Sequence, residues 1–583
     1  MSKRVGLALV ILCLALPLAG CRASGSPKTR KVLAEWSRGQ QVGITALNQR
    51  VDMVSDNDNV HLVWVAGEGR TLHYCRLDSS GQVQINTDLP ISGAHPSAPR
   101  LAIASDGSVR VLWTDNPRIP RALFLARVTA DGLLLHDPQP LSTDGVRVSD
   151  FELARNADDT LDIFWATEVP TDGGIYHLRL SADDQVVSAN RLLLSNGSKP
   201  TLQIARDGKV HLAWVEGQSL QENSVYYAAF DSQARELTPK TRVGFYRAGT
   251  GVVSYAPVMG LDSTTVYLFW ASEARGGRNA GEAQTFGVSF PLGAPAFTEA
   301  STVDIPGVAR PTYHSTSGIL PYRQLASVQS GGPTAYLYMP ATLAGQRDEL
   351  GVFLVGQVAT RNRSSMQVMW VIYSGGEAKG YQLPENVDNS MRPTGAIDGQ
   401  GNVHLVWLSA AGFGQYDVHY ASTSPTVRAN FDRVTIQDLA MEFLDAIWNL
   451  APAMGFFPPV FLLWSIASFV WVVAFYLVKA EGGLERRASQ IALVIAMVLY
   501  LFSKFFLMPG VLFYAPFVDR VPENLQYVPV LGTLAVTTLA ALGAVALYSR
   551  KRQYGSLFVA YLLFVVTDAV LSLIIYVPGW LGA

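Results

Sequence analysis

Few side chains in this 583-residue chain are placed to do chemistry, and most of them recur at fixed positions. Cys13, Cys21 and Cys75 are too few and too scattered for a disulfide framework or a thiolate metal site. Seven polar residues stand three places ahead of seven tryptophans: His61, Arg110, Asp162, His211, Tyr267, Gln367 and His404. Such a slot could face a ligand, but hydrogen bonding between adjacent repeats is the expected role, because a buried polar group must find a partner. Its three histidines are not expected to bind a metal, since their blades are not expected to be neighbours around the ring. Asp106, Asp158, Asp207 and Asp398 all fall in turns, where the local hydrogen bonding of aspartate accounts for them. A glycosidase needs more, namely two carboxylates about 5–10 Å apart with one kept protonated. No Gly-x-Ser-x-Gly, His-Glu-x-x-His or phosphate-loop pattern occurs. Lys504 and Asp568 stand out differently, as charges that interrupt strongly apolar runs.

The elements that position these residues repeat. The phrase Asn59-Val60-His61-Leu62-Val63-Trp64, a turn followed by an alternating strand, returns at Trp113, Trp165, Trp214, Trp270, Trp370 and Trp407. The first spacings between these tryptophans are 49, 52, 49 and 56 residues. A second β-branched and aromatic run follows each by about ten residues, as in Leu72-His73-Tyr74-Cys75-Arg76-Leu77 and Val225-Tyr226-Tyr227-Ala228. A unit of about 50 residues with four short strands is one blade of a β-propeller, and blades bury their faces only by stacking around an axis. The gap from Trp270 to Trp370 is twice the period and predicts a degenerate blade with Thr334 to Tyr338 in place of the tryptophan strand. Seven or eight blades are therefore expected, with the seven tryptophans as equivalent core residues. Cys75 aligns with Ala126, Leu178, Ala228 and Ala421 and is read as a small buried hydrophobe.

The strand phrase resembles those of bacterial sialidase-like propellers. That resemblance implies a glycan-directed activity using an arginine cluster and a tyrosine nucleophile, neither of which can be assigned here residue by residue. The Ser-x-Asp-x-Gly-x-x-Trp box of that superfamily is missing, and Asp78-Ser79-Ser80-Gly81 only echoes it.

At the N-terminus, Lys3 and Arg4 precede an apolar run from Val5 to Leu16, and then comes Leu18-Ala19-Gly20-Cys21. The run suits a signal peptide. The four residues resemble the lipobox of bacterial lipoproteins, which implies lipidation of Cys21. Four apolar runs near 458–478, 490–508, 527–548 and 555–577 each match the ~20 residues needed to cross a bilayer. Lys479, Arg486 and Arg487 lie between the first two, and Arg550, Lys551 and Arg552 between the last two, whereas 509–526 holds only Arg520. The positive-inside rule puts both basic loops in the cytoplasm and the N-terminal domain outside, in agreement with the signal peptide. Ahead of the first span, Val434 to Leu450 has a helical apolar period and reads as an amphipathic helix, at the membrane interface or docked on the propeller. Lys504 and Asp568 are expected to face the bundle interior. Counted from their span ends their depths differ by roughly 7–8 Å, so a direct pair is expected to be stretched.

The organisation expected is a signal peptide and lipobox over 1–21, a linker over 22–33, a mainly β propeller over 34–430, a juxtamembrane helix over 431–456 and four transmembrane helices over 457–583. The expected place is the bacterial cytoplasmic membrane, multi-pass and lipid-anchored, with the propeller extracytoplasmic. A net charge of −2 gives no reason to expect nucleic acid, and no metal or cofactor is expected. The partners expected are the bilayer and an extracytoplasmic glycan, peptide or protein bound by the propeller as a scaffold. A sialidase-like hydrolase and a signalling or transport accessory are the rival readings.

Overall fold

A computed structural model of the chain describes residues 35–432 apart from 57, 67–69, 92–94, 116–120, 144, 168–172, 218–221, 248–250, 276–282, 307–332, 361–362, 385–388 and 413, together with 457–479, 482–507, 527–551 and 555–582. The expected signal peptide, Cys21 and the amphipathic segment 434–450 lie outside the described residues. The chain divides into two units, the propeller and the helical region that follows it.

The propeller has seven antiparallel sheets. In blade 1 the strands are Asp52–Ser55, Asn59–Ala66, Thr71–Asp78 and Val83–Asp88, paired in that order. Blades 2 to 6 repeat the meander from Pro96, Val148, Ser198, Val252 and Pro333. Blade 7 takes Ser390–Ile397, Val403–Gly412 and Gln415–Ser422, and its fourth strand is Gln40–Thr45 from the start of the domain. Each first strand touches the first strand of the next blade, and that of blade 7 touches that of blade 1, so the first strands ring the axis. Tight turns set the register of several blades. Gly107 and Gly208 sit at φ +79° and +82°, a conformation glycine adopts without a Cβ penalty.

Each second strand is covered on both faces, which is why it is the most apolar. Trp64, Trp113, Trp165, Trp214, Trp270 and Trp407 occupy the same place on it and are no more than 2% exposed. Trp113, for example, packs on Val63, Val65, Leu72 and Tyr74 of the preceding blade. Cys75 is fully buried opposite Leu62, and burial pushes its thiol up to about 12.

Blade 6 departs from the expected pattern. Trp370 lies on its third strand, Arg363–Ser374, and not on its second, Leu350–Thr360. Among the described residues no extra blade intervenes. Thr334 to Tyr338 belong to the first strand of this same blade, and the doubled spacing comes from the shift of the tryptophan by one strand and from residues 307–332 in the link. Trp370 therefore packs toward blade 7, edge-on to Trp36 at 6.2 Å. Its indole lies over Gly351, where an added Cβ would come within 1.6 Å of the ring. The interface between blades 5 and 6, left without a tryptophan, holds a cavity of about 520 Å³ lined in part by Tyr267, Phe269, Tyr373 and Glu377.

After the last strand come a short helix α1 (Pro425–Phe431) and four long helices: α2 (Phe457–Lys479), α3 (Arg487–Leu507), α4 (Tyr527–Lys551) and α5 (Leu557–Gly582). α1 sets Val427 and Phe431 against Gly81 of blade 1. The long helices contain spans of 19, 20, 23 and 20 residues with mean hydropathy 1.8 to 2.4, enough to cross a membrane. α2, α3 and α5 share one core, in which Trp464, Tyr500, Tyr561 and Phe564 are buried, and α4 packs along α5. The links between α2 and α3 and between α4 and α5 meet, with Leu484 N–H donating to Gly555 O at 2.9 Å and Leu557 N–H to Gly482 O at 2.7 Å.

Candidate functional site

The polar slot three residues ahead of the tryptophans is occupied by structure. His61 bonds Tyr74 OH at 2.7 Å through Nδ1 and Asp56 at 3.3 Å through Nε2, and His404 repeats this with Tyr420 and Asp398 at the same distances. His211 meets Tyr227 OH at 2.5 Å. These bonds stay within one blade, contrary to the expectation of bonds between blades, because the third-strand tyrosine and the turn aspartate are nearer than the next sheet. Arg110 does cross to the next blade, bonding Asp184 at 2.5 Å, Asp159 at 3.2 Å and Ala182 O at 2.6 Å. Contrary to expectation, the blades of His61 and His404 are neighbours around the ring, because blade 7 closes against blade 1, yet each histidine is held by its own aspartate and tyrosine. Among the described residues no group of three His, Cys, Asp or Glu is placed to hold a metal.

A different set converges at the other end of the axis, at the beginnings of the seven first strands. Here the strands bulge. Register shifts fall at Ser97/Arg100, Val148/Asp150, Ser198/Thr201, Tyr338/Ala341 and Met391/Thr394. Ala98, Lys199, Met339 and Arg392 have φ of +50° to +53°, and each precedes a proline. A left-handed non-glycine residue is unfavourable by about 1–2 kcal/mol, and such strain gathers where a side chain must be aimed. Serines tie the bulges to the second strands: Ser97 Oγ lies 2.8 Å from Thr114 Oγ1, and Ser198 Oγ donates to Val215 O at 3.0 Å.

The bulges carry charge around the axis. Arg50 Nε donates to Thr394 Oγ1 across the closing blades at 3.0 Å, and its Nη2 lies 3.8 Å from Asp52 Oδ1. Asp52 in turn accepts from Leu101 N–H at 2.8 Å, and Arg100 reaches Glu152 of blade 3 at 3.2 Å. Lys199 Nζ donates to Ser254 O at 3.2 Å and Arg392 Nε to Asn48 Oδ1 at 3.1 Å, both uncharged acceptors. On blade 5 Tyr255 OH donates to Glu273, beside Arg275. Burial, then the neighbouring Arg100, holds the Arg50 guanidinium below its usual range. Burial raises Asp52 against the pull of Arg100 and Arg50, and burial lowers Lys199. For Arg100 burial acts downward, but Glu152 and Asp52 outweigh it and the net shift is up. Burial pushes Tyr338, above the same ring, up to about 12. The arrangement can bind an anion and offer hydroxyl contacts around it.

None of these ring residues was singled out from the sequence. The available signal was the recurring pre-proline residue, as in Ser97-Ala98-Pro99, Ser198-Lys199-Pro200 and Met391-Arg392-Pro393, set the same distance ahead of Trp113, Trp214 and Trp407. The two charges expected within the membrane do come together: Lys504 Nζ lies 2.7 Å from Asp568 Oδ2, both fully buried. The pair is not stretched, because α5 continues past the level at which α3 ends, so depths counted from span ends misplace its residues.

The fold and site define a seven-bladed β-propeller joined to helices able to span a membrane. No protein-family model matches the chain, and no curated protein matches it. Among solved structures, an ulvan lyase of polysaccharide lyase family PL25 superimposes over 67% of this chain and 94% of its own, at 10% identity and a TM-score of 0.41. The polysaccharide lyase Uly1 covers 69% and 96% at 11% identity and a TM-score of 0.40. An exo-β-1,3-galactanase from Clostridium thermocellum covers 67% and 98% at 11% identity and 0.32. The seven sheets and their order, and not these superpositions, define the fold.

Proposed function

We propose that the protein is a membrane-held, extracytoplasmic binding module whose axial ring takes an anionic, polyhydroxylated ligand, in the first place an acidic glycan. The observation that carries this is the pair Lys199 and Arg392, two cations in strained backbone whose side chains, among the described residues, donate to neutral oxygens. An anion would complete their pairing, and charge-assisted bonds are the stronger kind. The signal-peptide pattern, the lipobox-like Leu18-Ala19-Gly20-Cys21 and the basic loops support the placement outside the cytoplasmic membrane. Full-length protein in nanodiscs should bind a uronate-containing oligosaccharide and lose at least about tenfold in affinity, ~1.4 kcal/mol, on Lys199→Ala or Arg392→Ala. Equal affinity for a neutral oligosaccharide of the same length, or an unaltered Arg392→Ala variant, would remove the basis of this reading. For the anchor, a labelled fatty acid should mark the wild type and not Cys21→Ser.

The hydrolase reading draws support from one contact, the Tyr255–Glu273 pair beside Arg275, since a carboxylate that accepts a phenol's proton can make it a nucleophile. Turnover on a panel of acidic glycosides, abolished by Tyr255→Phe, would favour catalysis. Binding without turnover would leave the module reading in place.

A further inference from the structure

The helical unit contains a polar cluster that a purely structural bundle does not need. Asp568 Oδ2 accepts from Lys504 Nζ at 2.7 Å and from Tyr500 OH at 2.9 Å, and Lys504 also donates to Ser572 Oγ at 2.6 Å. The other carboxylate oxygen, Asp568 Oδ1, is buried with no hydrogen-bond partner among the described residues. Two more buried polar atoms nearby share that condition, Trp464 Nε1 and Tyr576 OH. Trp464 is 1% exposed and lies under the Lys504 ammonium, whose Nζ is 5.4 Å from its ring. Buried polar atoms of this kind are normally satisfied, and an exception calls for a water or ion as partner.

Their placement has a direction. Asp568, Ser572 and Tyr576 stand at i, i+4 and i+8 on α5 and so share one face. Tyr576 is two turns nearer than Asp568 to the end of the bundle where α2 begins and α3 finishes, and Trp464 and Lys504 are also near that end. Polar atoms thus lead from that end to the buried carboxylate. From Asp568 toward the opposite end, α5 presents Val565, Phe564, Tyr561 and Ala560 to the core, and Tyr561 OH is already engaged with Ser468 and Ser465.

We propose that this cluster is a hydrated, proton-accepting site within the membrane, open from one end only, with Asp568 Oδ1 as the atom that takes the proton. In the resting state the carboxylate and the Lys504 ammonium neutralise each other. A hydronium ion entering along the Tyr576–Ser572 face transfers one proton to Oδ1 and leaves as water. The neutral acid no longer attracts the ammonium, and the charge of the site rises from zero to +1. The groups facing Asp568 are Lys504 and Tyr500 from α3 and Tyr576 from α5 itself. α2 presents Trp464, which does not titrate. The titratable residues of α4 are Tyr527, Tyr548, Arg550 and Lys551, all near its ends.

The test uses the full chain in proteoliposomes. Ser572→Cys should react with a small, water-soluble, charged thiol reagent added on one side of the membrane, at least tenfold faster than from the other, while Ala560→Cys stays inert from both. Difference infrared spectra of the wild type between pH 8 and acid conditions should show a protonated-carboxyl band that shifts in D₂O and is missing in Asp568→Asn. An unreactive Ser572→Cys overturns the hydrated path. A band unchanged by Asp568→Asn, or none within the range where the protein stays folded, overturns the proton site. The infrared measurement needs no substitution in the wild type, so a variant that fails to fold does not rescue the proposal.

Discussion

At the scale of single residues, two side chains show how closely the propeller is fitted. Trp214, fully buried between blades 3 and 4, should cost about 3–5 kcal/mol when changed to Ala. Gly351→Ala should be destabilising by about 1–3 kcal/mol, because the indole of Trp370 occupies the space its Cβ would need and is itself wedged between blades. Urea titration of the full chain would read both, and a Gly351→Ala midpoint equal to wild type would contradict the geometry. The histidines add a pH term. Burial lowers His211 to about 4, and lowers His61 and His404 in the same direction. A histidine that binds its proton more weakly folded than unfolded leaves the fold at full stability above the unfolded value of ~6.5. Stability then falls as pH drops toward 4, by at most about 1.4 kcal/mol per pH unit for each such group. His211→Gln should reduce that slope between pH 6.5 and 4. An unchanged slope would mean that His211 is protonated within the fold.

At the scale of elements, blade 7 closes the ring by joining the two ends of the domain. Strand Gln40–Thr45 pairs along Gln415–Ser422, Ser37 N–H donates to Ser422 O at 2.8 Å, and Trp36 is 1% exposed in the core of blades 6 and 7. A chain starting after residue 45 should leave blade 7 with three strands and expose Tyr420. It should be cut by low protease within blade 7 before any other blade. Retention of wild-type protease resistance would show that closure does not depend on this strand. Most of the fold was legible in the sequence because a second strand buried on both faces needs a tryptophan or its equivalent at a fixed offset, and that offset repeats. Blade 6 was misread because indole volume can be supplied from either of two adjacent strands, provided a glycine such as Gly351 faces it. The ring of charges escaped notice for another reason. Arg50, Arg100, Lys199 and Arg392 are between 50 and 342 residues apart and meet only when the blades close.

At the scale of the whole molecule, the two ends of the propeller axis differ in kind. One end holds the satisfied Asp–His–Tyr sets, and the other gathers cations on bulged strands. If the second end takes an anion, its affinity should fall as salt rises, since partly exposed charges are screened over about 8 Å at physiological ionic strength. Calorimetry with an acidic oligosaccharide at 50 and 300 mM salt would check this, and a salt-independent affinity would point instead to hydroxyl recognition by Tyr255 and Tyr338.

The closing blade also sets an order of events during biosynthesis. Gln41 bonds Asp417, 376 residues further along the chain. The strand translated first is therefore the last to be paired, and six blades can form while it waits as an open edge. Gln40-Gln41-Val42-Gly43-Ile44-Thr45 suits that wait, with two glutamines and a glycine limiting its tendency to pair with a stranger. Contacts of such long range are slow to form. A chain stalled before residue 415 would present this edge indefinitely, and it is at that stage that a chaperone or a second nascent copy could take the place of the missing strand.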